Sequence, residues 1–286
     1  MKLSAEAPAK INRELRVGRL RPDGYHEVFS RMVSIDLADR LTVEPAGELL
    51  FSCDDPRVPA GDDNLVVRAA RCLARAAGIA PNATIRLEKR TPMGGGLGGG
   101  SADAAIALRL LAELWDCAPS IRASLPVIAA EIGSDVPFFL HGGQADVTGR
   151  GEIVQPVDDA RVRALLLLVP PFTISTAAVY RAYAGRGRLP DRLTVDPAGG
   201  KSFLGPNDLT PAVLQVEPRM EEYLASAARV SEERAVSGSG STIVLAAPPE
   251  ARDELARRHP EARLFACTTL TRDAYRLRTN PNGGSS

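Results

Sequence analysis

The 286-residue sequence is poor in several residue types that metal and redox sites need. Aromatic side chains make up 5 %, with a single tryptophan. The three histidines, His26, His141 and His259, form no His-x-x-x-His pair, so no helical metal-ligand pair is on offer. The four cysteines, Cys53, Cys72, Cys117 and Cys267, stand far apart with no Cys-x-x-Cys spacing. That excludes a zinc ribbon or a disulfide framework and leaves buried, reduced thiols as the expectation. Net charge is missing too, because 35 basic residues balance 35 acidic ones. Phosphate neutralisation by a global basic field needs clustered positive charge, so a nucleic-acid binder of that kind is excluded. No run approaches the roughly 18 apolar residues that cross a bilayer. The segment Met1–Glu6 carries no long apolar stretch of the signal-peptide type. A cytoplasmic protein without nucleic-acid or membrane partners is therefore expected. Its length suits one large or two ordinary domains.

Lysine is scarce as well. Lys2, Lys10, Lys89 and Lys201 are the only four, against 31 arginines. A compact ammonium is not interchangeable with a planar guanidinium where one hydroxyl or phosphate oxygen is engaged. Lys10 gains interest on that ground, although taken alone it reads as an exposed strand lysine.

Glycine, by contrast, is concentrated. Six of the 25 glycines fall in residues 94–100, where even spreading would put fewer than one. The segment Pro92-Met93-Gly94-Gly95-Gly96-Leu97-Gly98-Gly99-Gly100-Ser101 separates an alternating stretch, Ala83–Arg90, from an Ala/Leu-rich run, Ser101–Trp115, that reads as a buried helix. A loop so placed brings bare backbone N–H groups and a helix N-terminus against a polyanion. A flexible linker would not lead straight into a buried helix. Gly94-x-Gly96-x-x-Gly99 satisfies a dinucleotide fingerprint by letter, but the charged preceding strand argues against it. Gly200-Lys201-Ser202 ends like a Walker A loop and fails at Val195, where that loop's first glycine belongs.

Around this loop, Ala5–Val17 alternates as a half-buried strand with Lys10 and Asn12 on its polar face. Pro22-Asp23-Gly24 marks a turn, and strands are expected near Glu27–Leu37 and Asp39–Glu44. Helices are expected over Val66–Ala77, from an Asn64 start to a Gly78 stop, and over Ile121–Ile132. Gly142–Gly151 is turn-rich and marks a candidate domain boundary. Beyond it the pattern predicts strands at Leu165–Val169, Thr242–Ala246 and Ala262–Thr268, and helices at Ser175–Tyr183 and near Pro249–His259. Residues 184–203 read as a mobile loop and the C-terminal residues as a disordered tail. Asp135, in Gly133-Ser134-Asp135-Val136-Pro137-Phe138-Phe139, is placed to act as a general base or charge anchor, or simply as a turn residue. Ser237-Gly238-Ser239-Gly240-Ser241 is a second loop of small residues.

In this order, Ala7-Pro8-Ala9-Lys10-Ile11-Asn12, the loop Pro92–Ser101 extended through Ala102-Asp103-Ala104-Ala105, and Val236-Ser237-Gly238-Ser239-Gly240-Ser241 resemble the three motifs of the GHMP kinase superfamily. Arg21-Pro22-Asp23-Gly24-Tyr25-His26-Glu27, Gly133–Phe139 and Thr148-Gly149-Arg150-Gly151-Glu152 resemble a subgroup that acts on a cytidine-diphosphate-linked methylerythritol. Asn207-Asp208-Leu209 is similar to a further stretch of that subgroup. The resemblance implies an α+β, two-domain GHMP kinase fold. Its ribosomal-protein-like N-terminal domain would span residues 1–152 and its ferredoxin-like C-terminal domain 153–277, with the tail at 278–286. It implies ATP-dependent phosphorylation of the substrate's 2-hydroxyl, with Mg2+, by a monomer or weak homodimer. Lys10 and Asp135 would be catalytic. Asn12 would bind the sugar alcohol, and Tyr25 and His26 the cytosine. Residues 92–103 would wrap the ATP phosphates, with Ser237, Gly238, Ser239 and Gly240 approaching the same ligand. Arg13, Ala102 and Asp103 depart from the superfamily pattern. The other readings are a sister kinase acting on homoserine or mevalonate, and a non-catalytic relative that keeps the cleft.

Overall fold

The computed structural model describes residues 1–184, 202–247 and 250–281. Two long antiparallel strands open the chain, β1 (Leu3–Leu20) and β2 (His26–Pro45), joined through Pro22-Asp23-Gly24. Alternation along β1 predicted one wet face, but both faces are covered. Lys10 and Asn12 are each 3 % exposed, alongside the buried Ala9 and Ile11. The two strands expected over 27–44 are one. Along a single edge of β2, Ser30–Val33 bond β5 (Gln144–Thr148) and Arg40–Pro45 bond β4 (Ala83–Glu88). β2 changes neighbour rather than direction, which is why the sequence pattern shifts midway.

β3 (Leu49–Cys53), which the sequence did not announce, lies parallel to β4, and β6 (Ile153–Pro156) is the antiparallel partner of β5. A boundary after residue 152 therefore falls within the β5–β6 hairpin, and β6 is part of the first sheet.

Helices cover this sheet. In α1 (Leu65–Ala77), Asn64 caps the start by accepting from the Val66 N–H at 2.8 Å, and Gly78 ends it at φ +68°. Its Val66, Ala69, Ala70 and Leu73 form the buried stripe. α2 (Gly99–Leu114) is buried almost all round. Ile106, Leu108, Leu110 and Leu111 are fully covered, each worth about 1.5–3 kcal/mol of transfer. The helix expected over 121–132 is split into α3 (Pro119–Ala123) and α4 (Leu125–Ile132). Pro126 supplies no N–H to continue the first into the second. α5 (Phe138–His141) is a single turn just past Asp135.

A second sheet, all antiparallel, has the order β10-β7-β9-β8, from β7 (Ala164–Val169), β8 (Arg234–Val236), β9 (Ile243–Leu245) and β10 (Arg263–Thr268). With it go α6 (Thr176–Ala184), α7 (Thr210–Val216), α8 (Met220–Val230) and α9 (Ala251–Arg258). The sheets share a core in which Ala9, Ile11, Val33 and Ile35 meet Leu165, Leu167, Val244 and Cys267. Burial pushes the Cys267 thiol up to about 12. Cys117 is likewise buried, while Cys53 and Cys72 are half-buried; all four are free thiols.

α10 (Arg272–Thr279) returns to pack on β1. Its Tyr275 is fully buried and donates a hydrogen bond from the hydroxyl to the Phe139 carbonyl at 2.6 Å. The helix runs past residue 277, where the second domain was expected to end, and Thr279 is buried. Most of the loop expected over 184–203, Gly200 and Lys201 included, lies outside the described residues, as do Pro249 and 282–286. Among the described residues no helix is long and apolar enough to cross a membrane.

Candidate active site

The register of β1 against β2 slips between Pro8 and Lys10 and again between Asn12 and Glu14. Between the slips Lys10–Asn12 stay paired with Met32–Ser34, and the other edge of the strand bonds elsewhere. The Lys10 N–H donates to the Leu97 carbonyl at 2.9 Å, and the Asn12 N–H to Ser237 Oγ at 3.4 Å. Ser237 Oγ in turn donates to the Gly96 carbonyl at 3.0 Å, and the Thr242 N–H to the Gly95 carbonyl at 3.2 Å. Three segments far apart in sequence are thus tied into one unit.

The glycine loop runs between the other two. Gly96 and Gly98 have φ of +74° and +69°, open to glycine at little cost. A Cβ on Gly96 would strike the Ser237 carbonyl oxygen, and one on Gly98 would sit 2.9 Å from the Phe139 ring. Leu97 between them is 1 % exposed and anchors the loop in the core that both sheets share. The loop ends in the first turn of α2, whose N–H groups have no intrahelical acceptors.

Residues 92–101 of this loop wall one end of a cleft of about 570 Å³. Lys10, Asn12, Asp103 and Asp135 line it, as do Gly238 and Ser239. The Lys10 ammonium donates to Asn12 Oδ1 at 2.6 Å and to the Gly96 carbonyl at 3.1 Å, and stands 3.4 Å from Asp135 Oδ2. Asn12 is fixed on its other side, where Nδ2 donates to Ser30 Oγ at 2.7 Å. Asp135 is the exposed member of the group, with about a third of its side chain open to the cleft and 4 % of that of Lys10. A charged amine held by neutral acceptors beside an accessible carboxylate can orient a hydroxyl and take its proton.

The remaining expected residues divide. Ser101 faces the cleft, whereas Ala102 is fully buried in the core. Asp103 is 2 % exposed and pairs with Lys89 at 2.8 Å. Ser239 Oγ lies 2.7 Å from Thr176 Oγ1, and Gly240 is at φ +82° behind it. Tyr25 does not line the cleft: it is 50 % exposed and packs against Arg150, a lining residue whose guanidinium is 5.0 Å from its ring centre. His26 is buried: Nδ1 is 2.9 Å from the Gly18 carbonyl and the ring stacks on Tyr180 at 5.7 Å. It is Tyr180, not His26, that lines the cleft. Burial first, then the Asp135 charge, raises the Tyr180 hydroxyl above its ordinary pKa. No role for Tyr180, Arg150 or Lys89 follows from residue type or spacing. Tyr180 carries no signal beyond a helical period, and Arg150 only its place in the Thr148–Glu152 stretch that resembles the subgroup. Arg13, the departure in β1, lies 4.1 Å over the Phe203 ring and donates from Nε to its carbonyl at 2.9 Å. Its packing is thereby satisfied.

Known proteins resemble this chain in sequence and in fold. Residues 64–143 match the GHMP kinases N terminal domain. A 4-diphosphocytidyl-2-C-methyl-D-erythritol kinase of Salinibacter ruber is 42 % identical over 256 residues, covering 85 % of this chain and 89 % of its own. One of Pelotomaculum thermopropionicum is 40 % identical over 273 residues, covering 91 % and 94 %. A crystal structure of 4-(cytidine 5'-diphospho)-2C-methyl-D-erythritol kinase superposes with a TM-score of 0.76 at 34 % identity, over 93 % of this chain and 98 % of that one. A homoserine kinase from Cytophaga hutchinsonii, at 17 % identity and a TM-score of 0.69 over 94 % and 95 %, shares the fold alone. The fold is that of the GHMP kinases, and the chain belongs to the 4-diphosphocytidyl-2-C-methyl-D-erythritol kinase family.

Proposed function

We propose that this kinase transfers the terminal phosphoryl group of ATP to the 2-hydroxyl of 4-diphosphocytidyl-2-C-methyl-D-erythritol, in isoprenoid precursor synthesis. Asp135 accepts the hydroxyl proton, and Lys10 orients the alcohol oxygen and steadies its developing charge. The observation that carries this reading is the position of Lys10. Its side chain lies 3.4 Å from Asp135, and its backbone is bonded to the glycine loop at Leu97. Acceptor activation and phosphate binding then share one strand, and phosphoryl transfer depends chiefly on such positioning.

ATP, when bound, supplies the phosphoryl group, and the cleft fits its phosphates. Positive-φ glycines leave bare backbone along the cleft, and the α2 N-terminus favours an anion. Asn12 and Ser239 line the middle of the cleft, where the sugar alcohol would lie. The exposed Tyr25 ring, with Arg150 and Tyr180 nearby, offers flat surfaces to a pyrimidine, while His26 braces Tyr180 from behind. For Mg2+, no cluster of three His, Cys, Asp or Glu side chains that could cage an ion occurs among the described residues. The donors at hand fit an ion that keeps phosphate and water ligands, with the Ser101 hydroxyl among the side chains facing the cleft.

Incubation with ATP and a panel of alcohols tests the substrate. ADP is expected with the cytidylylated methylerythritol, and ADP release with homoserine or mevalonate instead would overturn the assignment. For the base, Asp135→Asn is expected to lower kcat about 10²–10⁴-fold while calorimetric nucleotide binding survives. Unchanged turnover would remove Asp135 from the mechanism.

A further inference from the structure

The glycine loop has two stems, and one buried cluster of charges holds both. On the entering side, Asp39 of β2 is fully buried, and its Oδ1 accepts from the Arg90 N–H at 2.6 Å and the Thr91 N–H at 2.7 Å. Those residues immediately precede Pro92. On the leaving side, Asp103 sits in the second turn of α2. Lys89 joins the two stems: its ammonium bonds Asp39 Oδ2 and, at 2.8 Å, Asp103 Oδ2. Lys89 and Asp103 both line the cleft, and a Cβ on Gly99 would come within 3.3 Å of the ammonium.

A loop with six glycines in seven residues loses more conformational freedom on ordering than any other composition. Fixing both stems is the way to limit that loss. The lysine is required by geometry, because a single ammonium with three donors spans two carboxylates from opposite sides. The cluster is not a surface ion pair: the side chains of Lys89, Asp39 and Asp103 are 6 %, 0 % and 3 % exposed. Breaking such a buried pair leaves an uncompensated charge, so its removal is felt.

We propose that Lys89 is a positioning residue for nucleotide binding, clamping the two stems of the glycine loop through Asp39 and Asp103. The inference rests on the kinase reading of the cleft. Its first readout is nucleotide affinity, which is measured without the acceptor.

The measurement is calorimetric titration of the full chain with ADP, together with separate KM values for ATP and for the acceptor. Lys89→Met combined with Asp103→Asn removes the bridge and leaves the Asp39 carboxylate held by the Arg90 and Thr91 N–H groups. ADP is expected to bind about tenfold or more weakly, with the ATP KM rising in parallel. The acceptor KM and kcat at saturating ATP should move less than about threefold, a split that general loosening of the fold would not produce. Asp39, unlike Lys89 and Asp103, does not line the cleft, and Asp39→Asn keeps an acceptor for the two N–H groups. It should weaken ADP binding in the same direction. Unaltered ADP affinity in the folded double variant, or equal losses at both ends of the cleft, overturns the clamp. If the double variant does not fold, unaltered affinity in Asp39→Asn does so. Absence of ADP binding by the unsubstituted chain would sink the nucleotide reading and the clamp with it.

Discussion

At its glycine end the cleft is walled by backbone. Gly94–Gly98 wind between β1 and the 237–241 loop, fixed by hydrogen bonds from Lys10, Ser237 and Thr242 to the Leu97, Gly96 and Gly95 carbonyls. At its other end it is walled by side chains from separate segments, Arg150 after β5 and Tyr180 on α6, with the exposed Tyr25 set against Arg150. The first end is one contiguous string of residues and the second is assembled by the fold. They differ in what a mutation breaks. A change in the backbone wall disturbs packing and binding together, whereas a change in the side-chain wall removes one contact from one ligand.

The largest effect should come from Gly96→Ala. The added methyl meets the backbone of Ser237 and Gly240, which cannot yield as a side chain would, and the residue sits at φ +74°. Left-handed strain and overpacking together cost about 2–5 kcal/mol. Thermal unfolding should shift by that amount, and ADP binding should fall to the limit of detection. A normal melt with normal ADP affinity would show that the 237–241 loop moves aside, and that the backbone wall is softer than drawn here.

The side-chain wall is tested by Arg150→Ala. Arg150 faces Tyr25 at 5.0 Å and donates to the Ala130 carbonyl at 2.7 Å. Losing the cation from a half-exposed aromatic face costs on the order of 1 kcal/mol, so the acceptor KM should rise about fivefold. The ATP KM should hold. If ATP rather than the acceptor suffers, the two ends of the cleft have been assigned the wrong way round.

These two walls also account for what could be read from the sequence. The backbone wall was legible because glycine density, a following buried helix and a second small-residue loop are all local signals. Asn64 and Gly78 bounded α1 for the same reason. The β1 pattern misled: alternation placed Lys10 on a wet face, while in the structure it is buried by the glycine loop, a partner 86 residues away. A period of two reports which residues share a face, not what later covers it. β2 read as two strands because its halves face different neighbours. Nothing local marks Tyr180 or Lys89. Each acquires its place only when β4, α2 and α6 are brought against β2 and the loop, a long-range outcome that propensity and spacing do not encode. Tyr25 and His26 were legible through resemblance, yet their division of labour, one exposed against Arg150 and one buried behind Tyr180, is a product of packing.

The smallest effect separates the two reasons for glycine within the loop. Gly100, unlike Gly96, has an ordinary helical backbone in α2, and a Cβ there meets only Leu65 at 3.8 Å. Gly100→Ala should therefore stabilise the unliganded chain by about 0.5–1 kcal/mol, the usual gain from replacing glycine inside a helix. Its N–H is retained, so a loss of ADP affinity in this variant could come only from the methyl group meeting the phosphates. Stabilisation with unchanged ADP binding would assign Gly100 to tolerance alone. Stabilisation with weakened binding would make it the glycine kept open for the ligand, in contrast to Gly96, which is kept open for the Ser237 carbonyl. Destabilisation would contradict both readings and place the first turn of α2 outside the helical geometry described here.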